Sequence, residues 1–425
     1  MHHFTYRAGV LHAEDVALAR IAAEVGTPVY VYASATIERH YNAVAAAFAG
    51  ARAHVFYAMK ANSNLAVLQL LGGLGAGADT VSEGEIRKAL AAGISASRIV
   101  FSGVGKTDAE LAFAVGAGIY QINIETEGEL QSLAAIAAAK GRRQAAVFRI
   151  NPDVGAGGHA KITTGASDNK FGISLGEAER LYDVASNLPG VRMLGLAVHI
   201  GSQIRELGDL EAAFRRLRAL AESLRGRGHS VERLDLGGGL GIPYEMADAV
   251  NHGPDLINAY AAMVRRIFSG FDVELGFEPG RLIVGNAGLL LARVVTLNPR
   301  PAKMIAVVDA AMNDLIRPAM YDAFHEIWPA MEPVRSAPLI PTDVVGPICE
   351  TGDTFAKSRP LPALRPGDLV SFMTAGAYGA AMSSTYNSRL LVPEVLVRGS
   401  EFAVVRPRQT WADLIGQDRL PGWKA

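Results

Sequence analysis

One cysteine stands among 425 residues. No disulfide within the chain can staple the fold, and a reducing compartment suits it. With no HExxH and no CxxC pattern either, a zinc site has little support, and no metal is expected. Charge of neither sign dominates: 41 Lys+Arg stand against 42 Asp+Glu, a formal net charge of −1. Nucleic acid and anionic membrane surfaces are therefore not expected partners. No apolar run approaches the roughly 18–20 residues of a membrane helix. The opening MHHFTYRAGVLHAEDVALAR has no basic segment leading into an apolar one, so a cytoplasmic location is expected. Low-complexity and internally repeated stretches are missing as well. What is plentiful is apolar side chain, 50% of the total, enough for two sizeable cores at this length.

From about residue 55 that apolar content is distributed in a rhythm. Short strand-like runs alternate with helix-length segments: VFYAMK (55–60), GADTVS (77–82), IVFSG (99–103), YQINIE (120–125), AAVFRIN (145–151), LGLAVHI (194–200), RLDLGG (233–238) and VELGFEP (273–279). Between them lie amphipathic stretches such as DLEAAFRRLRALAESLRGRG, with apolar residues at helical spacing. Strand–helix alternation implies parallel pairing through crossover helices. Eight repeats over this span predict an α/β fold, a (β/α)8 TIM barrel over residues 36–285, with a doubly wound open sheet as runner-up. After residue 285 the helical pattern fades. GLLLARVVTL, KMIAVVDAA, TDVVGPICE, DLVSFMT, LVPEVLVRG and EFAVVRP are strand-like, and NPRPAK and LPALRPGD read as turns. A C-terminal, mostly antiparallel β domain is predicted from residues 286–425, joined by residues 1–35.

Two glycine-rich segments resemble phosphate loops only superficially. GVGKT (103–107) lacks the glycine a P-loop needs at Val100, and GGLGAG (72–77) follows a helical pattern, as a helix C-cap does. Better signals sit at the carboxyl ends of strands, where a barrel builds its active site. Lys60 ends the first, in a setting where a desolvated amine could act as a Schiff-base lysine. His199 ends the sixth, GGGLG (237–241) the seventh, and Glu278-Pro279-Gly280-Arg281 the eighth. A lysine, a phosphate cradle, a stacking ring and a carboxylate are the parts that hold pyridoxal phosphate.

FYAMKAN, HIGSQ, LDLGGGLG and EPGR together resemble the fold-type III pyridoxal-phosphate decarboxylases. RPAMYDAFHEI (317–327), GPICETGD (346–353) and GAYGAAMSSTYNSR (376–389) resemble the diaminopimelate decarboxylase family within that group. The resemblance runs over nearly the whole chain. It implies decarboxylation of meso-2,6-diaminopimelate to L-lysine and CO2, the last step of lysine biosynthesis, with pyridoxal 5'-phosphate as cofactor. By the same resemblance Lys60 carries the cofactor, His199 stacks on its ring, and Glu278 sits at the pyridine nitrogen. Ser202, Gly238, Gly239, Pro279, Gly280 and Arg281 hold the phosphate end. Arg281, Arg317, Tyr321 and Glu350 bind substrate, Tyr378 touches cofactor and substrate, and Cys349 returns a proton after CO2 leaves. It also implies a homodimer with shared active sites.

Departures from the family pattern are Gly155, Gly158 and Ser358, all expected in loops. Two alternatives stay open beside a less favoured alanine racemase, against which GPICETGD and the EPGR strand end speak. One is a sister decarboxylase of ornithine, arginine or lysine, whose substrates end in cations and need no guanidinium at their far end. The other is a non-catalytic homologue that keeps the fold as a binding module.

Overall fold

The computed structural model describes residues 2–154, 170–245 and 254–423. Gly155 and Gly158 lie outside them. The chain divides into two compact units, one of Glu38–Pro243 with Val250–Ile283, the other of Met1–Ile37, Tyr244–Ala249 and Val284–Ala425.

In the first unit eight parallel strands follow one another among the described residues: β1 Ala53–Ala58, β2 Gly77–Thr80, β3 Ile99–Phe101, β4 Gln121–Ile124, β5 Gln144–Asn151, β6 Val191–Val198, β7 Arg233–Asp235 and β8 Glu274–Phe277. Each lies beside its predecessor, and β8 pairs with β1 through Leu275–Ala53, Gly276–His54 and Phe277–Val55. That last pairing closes the sheet into a barrel and removes the open-sheet alternative. Except for β5, which ends at Asn151 as its run does, the strands stop one to three residues before the apolar runs end.

The helices begin where side chains cap them. Asn64, Ser82, Thr107 and Thr126 each accept a hydrogen bond from a first-turn backbone N–H. Helix Gly208–Gly226 buries Leu210, Ala213, Phe214, Leu217, Leu220, Ala221 and Leu224, one stripe at helical spacing against the barrel. The GGLGAG segment ends helix Leu65–Leu74 at Gly75, whose φ of 107° is left-handed. GVGKT is a local clamp. Lys106 is buried, and its ammonium donates to the Gly103 and Asn123 carbonyls and to Glu129, while Thr107 starts the next helix with a capping box.

The second unit is a mostly antiparallel sheet. Strand Val29–Ala33 lies at its centre, antiparallel to Gly288–Arg300 and parallel to Glu394–Arg398. Lys303–Val308, Leu339–Val345 and Thr354–Pro362 extend one side, and Leu369–Phe372 and Ile327–Pro329 pair alongside. Val29, Val31 and Ala33 pack with Leu289, Leu291, Val395 and Val397 on one face. Two expectations change here. NPRPAK is not wholly a turn, since the strand runs on to Arg300. Ser358 does not lie in a loop but in strand Thr354–Pro362, at a bulge where its φ is 47° and its N–H donates to the Asp343 carboxylate. Pro360 and Pro362 lie within this strand, which is the sheet's edge, where proline is tolerated.

Candidate active site

The carboxyl ends of β1, β2, β6, β7 and β8 bring one group of residues together. Lys60 sits in the 3-10 turn Met59–Ala61 directly after β1. Its ammonium lies 3.4 Å from Asp79, a fully buried carboxylate at the end of β2. Asp79 Oδ1 has no partner among the described residues. Glu278, after β8, is buried beside Asp79 and Asp235, and Asn123 donates to it at 3.5 Å. Burial first, then the Asp235 and Asp79 charges, push the Glu278 carboxyl well above the usual carboxylate range; Lys60 pulls the other way. Three clustered carboxyl groups, with Lys60 beside Asp79 and Glu278, leave the pocket short of positive charge. A pyridinium nitrogen would supply it.

The glycines after β7 are dictated by close approach. A Cβ at Gly238 would lie 2.1 Å from the Glu278 carbonyl oxygen, and one at Gly239 would lie 2.5 Å from that of Gly201. Gly239 also has φ 108°, a backbone that only glycine adopts without strain. Gly237 donates its N–H to Asp235 and Gly238 donates to His199 Nδ1 at 3.2 Å. The Gly239 and Gly280 N–H groups donate to no backbone carbonyl among the described residues. Arg281 is buried after β8 and donates to the Ser202 hydroxyl at 3.1 Å, so both border the same cradle. The Gly238 bond also sets the His199 tautomer: Nδ1 accepts, so Nε2 carries the proton. Burial, Lys60 and Arg149 hold this imidazole well below its usual range, a neutral ring. An anion cradle, a neutral ring, a lysine and a carboxylate in want of a cation fit pyridoxal phosphate.

This site predicts a trade between stability and activity. Glu278 titrates higher in the fold than in the unfolded chain. Its contribution to stability is therefore present below the ordinary carboxylate range and is lost as pH rises through the folded value. Glu278→Gln removes that loss, so the cofactor-free variant should melt a few degrees above the parent at about pH 8, while turnover falls at least about 100-fold. Calorimetry of both proteins checks it, and a lower melting temperature for the variant contradicts it.

In the sheet unit, Arg317 starts the short helix Arg317–Tyr321 and is buried; Tyr321 ends the same helix, half-buried. Arg317 Nη1 donates to His325 Nε2 at 2.7 Å, and its guanidinium lies over the Tyr244 ring, 4.6 Å from the centroid. Cys349 and Glu350 are exposed on the loop Gly346–Asp353. Buried Asp353 orders that loop, accepting from the Met312 and Ile348 N–H groups at 2.6 and 2.7 Å. The Cys349 N–H reaches Asn387, and Glu350 accepts from the Tyr386 hydroxyl, which raises that phenol above its usual range. Tyr378 is half-buried with φ 56°. The barrel residues thus form one group and the sheet-unit residues two, around Arg317 and around Cys349.

Several site residues were not singled out from sequence: Asp79, Asn123, Arg149, Asp235, Tyr244, His325, Tyr386 and Gln121, whose amide donates to Asn123 and Asp235. For Gln121 and Asn123 a signal existed. In QINIE, polar residues alternate with isoleucine inside a sheet that should be apolar on both faces. Tyr244 and His325 carry no such mark.

A closed parallel barrel with this constellation at its strand ends defines a pyridoxal-phosphate enzyme. The model of the pyridoxal-dependent decarboxylase pyridoxal-binding domain matches residues 34–285. The chain is 48% identical to the diaminopimelate decarboxylase of Pseudomonas fluorescens, over 99% of this chain and 100% of that protein. It is 44% identical to that of Zymomonas mobilis, over 99% of each. Among solved structures it is similar to diaminopimelate decarboxylase from Helicobacter pylori complexed with L-lysine, at 37% identity and TM-score 0.89 over 94% of this chain and 98% of that one. The diaminopimelate decarboxylase from m. jannaschii, also with L-lysine, gives 33% and 0.92 over 98% of each. The chain belongs to the diaminopimelate decarboxylase family, whose members are pyridoxal-phosphate-dependent carboxy-lyases.

Proposed function

We propose that this chain decarboxylates meso-2,6-diaminopimelate to L-lysine and CO2, closing lysine biosynthesis. The observation that carries the reading is the buried Glu278 carboxylate beside Lys60, in a chain that matches diaminopimelate decarboxylases end to end. When bound, the cofactor supplies a ring that accepts the electron pair left as CO2 departs.

The protein's own groups do the rest. Lys60 would hold the cofactor covalently. His199, neutral, offers its ring as a flat wall. Glu278 would place negative charge against the ring nitrogen. The Gly239 and Gly280 N–H groups, with Ser202, Gly238, Pro279 and Arg281, cradle the phosphate. Arg317 with Arg281 takes the carboxylate at the substrate's far end, a pairing suited to bidentate hydrogen bonding. Tyr321 and Glu350 meet the substrate's polar groups, and Tyr378 contacts cofactor and substrate. Cys349 delivers a proton to the carbon that has lost CO2. The test is product identity: the chain loaded with pyridoxal phosphate and meso-diaminopimelate should release L-lysine, and no lysine would end the reading.

The working form in this reading is a two-fold dimer whose subunits lend one another Cys349. A proton donor at a decarboxylation site must be shielded from water, yet Cys349 and Glu350 are exposed in the single chain. Mixing Lys60→Ala with Cys349→Ala protein should restore activity, because a mixed dimer contains one intact site. With random exchange at equal amounts, about half the dimers are mixed and about a quarter of full activity returns. Exchange demonstrated by tagged subunits, with no return of activity, would place Cys349 in its own chain's site.

A further inference from the structure

We propose that His325 is the positioning residue of Arg317: a neutral imidazole, locked as its Nδ1–H tautomer, that aims the guanidinium at the carboxylate of the substrate's far end. The inference rests on the reading above that Arg317 takes that carboxylate.

The local chain brings the two residues together. Helix Arg317–Tyr321 ends at Asp322, whose left-handed φ of 50° turns the backbone, so position 325 comes back to position 317. There His325 Nδ1 lies 2.8 Å from the Met373 carbonyl oxygen, and Nε2 lies 2.7 Å from Arg317 Nη1. The partners dictate the protonation. A carbonyl only accepts, so Nδ1 must carry the proton; a guanidinium only donates, so Nε2 must present its lone pair. A doubly protonated ring would set N–H against N–H. Only the neutral Nδ1–H form satisfies both neighbours.

The contact is dry and braced. His325 is 1% exposed and Arg317 6%. Tyr244 stands edge-on to the imidazole, 5.5 Å away at 87°, and its ring lies beneath the guanidinium. Arg359 donates to the His325 carbonyl at 3.0 Å, holding the backbone as well. Arg317 thus spends one of its five N–H donors on a fixed acceptor, which chooses the plane in which the others lie. A guanidinium held in advance gives up less rotamer freedom when a carboxylate arrives. Without the acceptor, a buried charged donor goes unsatisfied.

Two conservative variants separate this role from mere packing. An asparagine amide at this position reaches only as far as Nδ1 does, so His325→Asn keeps the Met373 bond and loses Arg317. A glutamine amide extends to the Nε2 position, so His325→Gln can keep an acceptor for Arg317. His325→Asn should raise KM for meso-diaminopimelate about tenfold or more with kcat nearly unchanged, since a remote carboxylate contributes uniform binding. His325→Gln should recover KM to within a few-fold of the parent. L-Lysine keeps the same carboxylate, so its Kd by calorimetry should follow KM in both variants. Adding Arg317→Gln to His325→Asn should cost little beyond Arg317→Gln alone, because His325 acts through Arg317. A parental KM in His325→Asn, or equal losses in the two His325 variants, would overturn the inference while leaving the carboxylate reading standing. A parental KM in Arg317→Gln would overturn that reading, and this inference with it.

Discussion

Lys60→Ala should abolish the visible absorbance of lysine-linked cofactor and cut turnover by about 10⁴ or more. In the proposed role the amine would be needed twice, to hold the cofactor and to take it back when product leaves. Its setting suits both tasks. Lys60 follows β1 in a tight turn, with its side chain 36% exposed and its ammonium 3.4 Å from buried Asp79. The secondary structure should survive the loss, although buried Asp79 gives up its lysine partner. Alanine fits a turn already flanked by Ala58 and Ala61, so far-UV circular dichroism should not change. A variant that kept both the absorbance and the turnover would remove Lys60 from the site.

The second large effect is discrimination between substrates. The kcat/KM for meso-diaminopimelate should exceed that for L-ornithine by about 10⁴ or more, because a site built on hydrogen bonds rejects an analogue that leaves them unmade. Ornithine ends in an ammonium. It would bring a cation toward Arg317, a buried guanidinium, and give it no acceptor. Steady-state kinetics with both amino acids decide the matter. Comparable values would mean that Arg317 and Arg281 do not form a carboxylate clamp.

Much of this fold was legible because barrel strands are short apolar runs with helix-length spacers, a pattern that survives without any tertiary information. GADT, IVF and QINI each stand within two residues of their expected bounds. The strand Thr354–Pro362 was not legible, since its prolines mimic a loop and only its place at the sheet edge makes them harmless. Lys60 stood out at the end of an apolar strand, and Glu278 as the carboxylate of the Glu-Pro-Gly-Arg strand end. Asp235 did not, although it lies against Glu278, because one aspartate before glycines reads as an ordinary turn residue. His325 was hidden inside a motif whose more obvious member is Arg317.

Local order needs only neighbouring residues, so the order of amino acids alone dictates the alternation of strands and helices, the caps, and the family to which the motifs belong. Long-range pairing settles the remainder. Barrel closure depends on β8 finding β1, more than two hundred residues away. Asn123 reaches Glu278 across 155 positions. The two histidines carry the same side chain but opposite tautomers. The Gly238 N–H makes Nδ1 of His199 an acceptor, and the Met373 carbonyl makes Nδ1 of His325 a donor. A side chain's protonation is set by whichever group the fold brings against it, and residue identity alone carries no record of that group.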